Sequence, residues 1–157
     1  MVYFQTSITI NRPVDIVIQA LMNPDNFPFW QTDLDRFEVI NRKPGDVGSV
    51  GILHYSRKGN LYKMEDKLIY CEPGRKYISQ ITGNALTARV ETILHTDDNK
   101  TEMVLKWSGK GEILLLKILL PFMKQKMIRR STEELERFKL LVETKGSNFS
   151  VQAESDA

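Results

Sequence analysis

Few side chains in this 157-residue sequence combine a reactive type with a suggestive spacing. A two-residue turn at Gly59-Asn60 would set Lys58 opposite Leu61, Tyr55 opposite Met64 and Leu53 opposite Asp66. His54 then faces Glu65 across the hairpin, and an imidazole and a carboxylate so placed could pass a proton between them. Their parity also carries Ser56, Lys63 and Lys67, so the expectation is a solvated cross-strand contact. Asp66 falls on the other parity, with Leu53, Tyr55, Tyr62, Met64, Leu68 and Tyr70. A carboxylate enclosed by such residues would hold its proton to higher pH and could act as a general acid. The plainer expectation, preferred here, places Asp66 near a sheet edge or beside a lysine or arginine.

Other reactive patterns are missing. Two histidines and one cysteine, far apart, offer no metal-ligand spacing, so neither a metal nor another cofactor is expected. Cys71 beside Glu72-Pro73-Gly74 has no base partner for a nucleophilic role. There is no phosphate loop, Gly-x-Ser-x-Gly elbow or dinucleotide fingerprint. The net charge of +2 is spread along the chain and lacks a stacking platform, which argues against nucleic acid as a partner. A lone cysteine without a secretory pattern points to a reducing compartment, the cytoplasm.

The elements that must position these residues read as one α+β domain over residues 1–146, with the polar residues 147–157 expected to form a disordered tail. Val2 to Ile10 alternates as a half-buried strand. Pro13 opens a short helix to about Met22, and Asn23 to Trp30 forms a second short helical piece. A meander of about six strands follows, broken at Lys43-Pro44-Gly45-Asp46, Lys58-Gly59-Asn60, Glu72-Pro73-Gly74, Gly83-Asn84 and Asp97-Asp98-Asn99. Met123, Met127, Leu135, Phe138 and Val142 then mark one stripe of a long helix that Lys145-Gly146 stops.

A single sheet whose only cover is one long helix and two short ones must curve around that helix, leaving a gap between them. The walls expected from parity are Leu53, Tyr55, Tyr62, Met64, Leu68, Met103, Leu105 and Trp107 on the sheet, with Met123 and Met127 on the helix. Ala88, Val90, Thr92 and Leu94 form the inner set of the strand from Leu86. Trp30 and Trp107 could stack on a planar apolar ligand, although large aromatics at element ends more often serve as core. The basic run Lys124 to Arg130 reads first as a solvated, salt-bridged helix face, with Arg130 and Glu134 spaced to pair. With Ile113 to Leu120 beside it, transient contact with a membrane surface is the second reading; stable insertion is not expected.

The order of elements, together with Ile10-Asn11-Arg12-Pro13-Val14-Asp15-Ile16-Val17, Asn23-Pro24-Asp25-Asn26-Phe27 with Trp30, Pro44-Gly45-Asp46-Val47-Gly48 and Tyr70-Cys71-Glu72-Pro73-Gly74-Arg75, resembles the START/Bet v 1 (SRPBCC) superfamily. Within it, the sequence is most similar to the polyketide cyclase/dehydrase and lipid-transport branch, over roughly residues 2–143. The resemblance implies a helix-grip fold of about seven strands and the binding or transport of a small hydrophobic ligand such as a lipid, sterol or polyketide, by a monomer. Its rivals are a cyclase or dehydratase using Asp66 or His54 with Glu65, and a chaperone-activator-like module using the outer sheet face. An enclosed carboxylate bonded to a hydroxyl or imidazole would favour the enzyme, and a solvated Asp66 the binder.

Overall fold

The computed structural model describes residues 1–150. Alternating burial along β1 (Val2–Ile10) follows its alternating sequence. Pro13, at φ −67°, caps α1 (Val14–Met22), whose first turn carries Asp15 where the helix dipole favours an anion. The Asn23 side chain accepts from the Asp25 N–H and opens a 3₁₀ turn, Pro24–Asn26, which runs into α2 (Phe27–Trp30). Next come β2 (Leu34–Asn41), β3 (Val50–Arg57), β4 (Asn60–Glu72), β5 (Lys76–Gly83), β6 (Leu86–Asp97) and β7 (Lys100–Gly111). The chain continues through α3 (Leu114–Leu119), a 3₁₀ turn (Leu120–Met123) and α4 (Lys124–Lys145). Seven antiparallel strands form one sheet in the order β1-β7-β6-β5-β4-β3-β2, as the short connections require.

The β3–β4 register differs from expectation by one turn position. Lys58 and Gly59 are the loop residues, with φ of 50° and 83°, and Arg57 pairs with Asn60. A two-residue loop with both φ positive matches strand twist, and glycine most readily fills its second position. Tyr55 consequently faces Tyr62, Leu53 faces Met64 and Gly51 faces Asp66. The displacement leaves every residue on its expected face, because opposing residues change by two. A bulge at Ile69 does change faces: Tyr70 turns outward and Cys71 inward against the core, contrary to the simple alternation.

The core joins Ile10, Val17, Ala20 and Met103 to Leu135, Phe138 and Val142 of α4. The expected tail contributes to it as well. Phe149 is fully buried, edge-on to Phe138 at 5.8 Å. Its N–H donates to Asn26 Oδ1 (2.9 Å), while Asn26 Nδ2 donates to the Ala20 and Ser147 carbonyls (both 2.9 Å). Buried Asn26 therefore satisfies backbone groups on both sides of the C-terminal segment. Residues 147–150 of the expected disordered tail are thus packed on the domain; residues 151–157, also assigned to the tail, lie outside the described residues.

Truncating Phe149 to alanine should cost about 3–5 kcal/mol, as for a buried core aromatic. Urea denaturation will measure it; a loss below about 1 kcal/mol, the usual surface scale, would mean that the segment is not part of the core.

Candidate ligand cavity

Between the inner sheet face and the N-terminal half of α4 lies a cavity of about 350 Å³. Of the expected wall residues, Leu53, Tyr55, Met64 and Leu68 line it from β3 and β4, and Met103, Leu105 and Trp107 from β7. Trp30 and Met127 close it from α2 and α4. Tyr62 does not line it, but stacks on Tyr55 at 4.9 Å and 12°. Met123 lies apart, 40% exposed at the N-cap of α4. The 3₁₀ turn across Pro121 breaks the continuous stripe that grouped Met123 with Met127.

Two glycines make room for aromatic walls. A Cβ on Gly51 would lie 2.0 Å from Phe37 Cζ, and one on Gly109 would lie 2.4 Å from Trp107 Cη2. Phe37 and Trp107 therefore lie along the sheet, with Trp107 stacked on Phe4 at 5.4 Å. Trp30 packs edge-on against Phe138 at 5.0 Å, and its indole N–H is buried with no hydrogen-bond partner among the described residues.

Polar groups enter the apolar cavity at two places. Asp66 on β4 and Ser79 on β5 line it together. Burial pushes the Asp66 carboxyl from an ordinary 3.8 up to about 6, against the opposing effect of a hydrogen bond with the Ser79 hydroxyl. The preferred expectation, Asp66 near a sheet edge or beside a lysine or arginine, is not met on either count: β3 and β5 flank it, and no salt bridge among the described residues involves it.

The second polar group is built by Tyr55, Arg130 and Glu134. Arg130 Nε lies 3.3 Å from Glu134 Oε2, so the expected helical pair forms, but it borders the cavity instead of a solvated face. Glu134 also accepts the Thr32 N–H (2.8 Å), and Arg130 donates to the Thr32 carbonyl (2.9 Å), tying α4 to the residues after α2. Burial works against the Arg130 charge, yet Glu134 holds it protonated. Burial pushes the Tyr55 phenol well above its usual range, keeping it a neutral donor.

The other acid–base candidates stay apart. Glu65 faces Ile52, and His54 faces Lys63. His54 Nε2 instead meets Glu38 Oε1 at 2.8 Å on the opposite side of the sheet, and that bond holds the Glu38 carboxyl below its usual range. Burial pushes the Cys71 thiol up, away from a reactive thiolate. Among the described residues no cluster of His, Cys, Asp and Glu is placed to hold a metal.

Sequence reasoning missed Phe37, Tyr77 and Ser79 as lining residues. Once Leu68 was placed inside, its partner Ser79 would have identified the inner parity of β5 and with it Tyr77.

A family model for "Polyketide cyclase / dehydrase and lipid transport" matches residues 1–143. Among solved structures, the Zhui aromatase/cyclase from Streptomyces sp. R1128 superposes with a TM-score of 0.71 at 16% identity, over 91% of that chain and 88% of this one. A protein from Thermus thermophilus gives 0.72 at 12% identity, over 95% and 88%. Major latex-like protein 151 from Panax ginseng gives 0.65 at 10%, over 95% and 88%. These likenesses establish the helix-grip fold. No curated protein sequence matches the chain.

Asp66 makes stability depend on pH. Its folded value of about 6 exceeds the ordinary 3.8, so the native state holds the proton more tightly and ionisation disfavours folding. The penalty is absent below pH 4, grows from pH 4 to 6 and is complete above, reaching about 2–3 kcal/mol. Asp66→Asn should stabilise the protein by that amount at pH 8 and hardly at all at pH 3.5, as read by denaturant unfolding at both pH values. Equal effects at the two would contradict the assignment.

Proposed function

The chain belongs to the polyketide cyclase / dehydrase and lipid transport family of the START/Bet v 1 (SRPBCC) superfamily, and from that membership and its cavity we propose that it binds a small, mainly apolar molecule carrying one or two polar groups. The observation that carries this reading is the partly open space itself: about 350 Å³, within the ~300–1,000 Å³ typical of small-molecule sites, walled by aromatic, leucine and methionine side chains. Apolar burial supplies affinity. The Tyr55 hydroxyl, the Arg130 guanidinium and the Asp66–Ser79 pair orient the polar end. Met64, Met103 and Met127 allow the wall to repack around different outlines.

One observation favours a second reading, a cyclase- or dehydratase-type enzyme. Asp66 lines the cavity beside Ser79, between β3 and β5, and burial pushes its carboxyl up to about 6, as suits a group that must both give and take a proton near neutral pH. Tyr55 would stabilise negative charge on a carbonyl oxygen by donating its phenolic proton as a hydrogen bond.

Native mass spectrometry of protein purified from its own host should reveal a bound small molecule, and an apolar panel of lipids and aromatic polyketides should raise the melting temperature. Unliganded protein with no shift from any member of the panel would refute binding. For a substrate that turns over, Asp66→Asn should lower kcat by about 10²–10⁴ while leaving the thermal shift in place. Unchanged kcat would remove Asp66 from the chemistry.

A further inference from the structure

Apart from Lys117, the segment from Ile113 to Met123 is apolar on both of its faces, but the protein covers only one. Leu120 is buried, and α3 packs so closely on the end of β7 that a Cβ on Gly111 would lie 2.8 Å from Leu116 Cβ. Away from that packing, Leu115, Ile118 and Leu119 share the i, i+3, i+4 spacing of a helical stripe, and Leu114 and Phe122, the latter in the 3₁₀ turn, are exposed beside them. Leu114 is 73% exposed and Phe122 is 83% exposed. A soluble domain rarely leaves so many large apolar side chains contiguous and in water.

The charge beside this stripe identifies what covers it. Residues 110–130 hold six of the 22 basic residues and one of the 20 acidic ones, which leaves the rest of the chain net negative. Arg130 is taken by Glu134, and the single acid, Glu112, accepts from the Thr87 hydroxyl. Lys110, Lys117, Lys124, Lys126 and Arg129 form no salt bridge among the described residues. A second copy docking through the same face would bring like charges together, whereas an anionic lipid surface offers hydrocarbon for the stripe and phosphate for the cations.

We propose that α3 and the following 3₁₀ turn dock this protein on anionic membrane surfaces, with Leu115, Ile118, Leu119 and Phe122 entering the acyl boundary and the flanking lysines meeting the head groups. The contact is interfacial: no helix among the described residues is long and apolar enough to cross a bilayer. Docking would also bring one end of the cavity to the lipid. Leu86, paired with Gly111 immediately before α3, and Met127, in the first turn of α4, both line that cavity. The docking itself needs no cavity ligand, so it stands or falls independently of the proposed binding function.

The test is co-sedimentation of the full chain with vesicles of phosphatidylcholine alone or mixed with phosphatidylglycerol, at low and high salt. Wild-type protein should bind the mixed vesicles, bind the neutral ones far less and be released by salt. Leu115→Asp or Phe122→Asp should lower binding about tenfold or more without changing the melting temperature in solution, because both side chains are exposed. Lys117→Glu with Lys124→Glu should do so through charge alone. Failure of the wild-type protein to bind mixed vesicles, or undiminished binding by the aspartate variants, would overturn the proposal. So would a dimer that Phe122→Asp makes monomeric while neither form binds vesicles.

Discussion

The packing of α4 on the sheet is uneven along its length, and the rest of the structure depends on that unevenness. In its C-terminal half Leu135, Phe138 and Val142 are buried against the strands, α1 and the returning Phe149. In its N-terminal half the inward positions are Met127, Arg130, Ser131 and Glu134, which border empty space. Ser131 shares a hydrogen bond with Thr6 on β1 (3.0 Å), anchoring this half by a polar contact, whereas the other half adds apolar burial to the hydrogen bonds of Lys139 with Thr9 and of Glu143 with Asn11. The helix is thus seated at one end and held off at the other. A sheet with an apolar face must be covered, and cover that stands off leaves a cavity.

The cavity has a cost, and Asp66 carries much of it. Replacing it by an apolar residue would remove the desolvation penalty of a carboxylate enclosed beside one hydroxyl. Local departures from what folding alone favours are expected at functional sites, where stability is given up for chemistry or recognition. The glycines at 51 and 109 have the same character. They forgo the packing of a side chain so that Phe37 and Trp107 can lie flat along the wall.

Much of this was legible in the sequence because period and turn chemistry are local signals. Strand alternation gave the inner parity of β3, β4, β6 and β7, and it tolerated the one-position error in the Lys58-Gly59 turn because faces repeat every two residues. What alternation cannot reveal is a bulge, and Tyr70 was placed on the wrong side for that reason. The sequence also says nothing of contacts between distant segments. Asn26 belongs to a short helical piece and Phe149 to an otherwise polar run, and only the fold brings them together. The pairing of Arg130 with Glu134 followed from helical spacing, but the face on which the pair lies did not.

The central claim is that the space under the N-terminal half of α4 takes up a ligand. Its six methionines report on that directly: Met22, Met64, Met103 and Met127 line the space, while Met1 and Met123 lie outside it. With ¹³C-labelled methionine methyls, titration with a planar apolar probe such as 1-naphthol can be followed residue by residue. The four lining methyls should shift together along one saturating curve while Met1 and Met123 stay in place. Shifts confined to Met1 and Met123, or no saturable shift at all, would contradict the account.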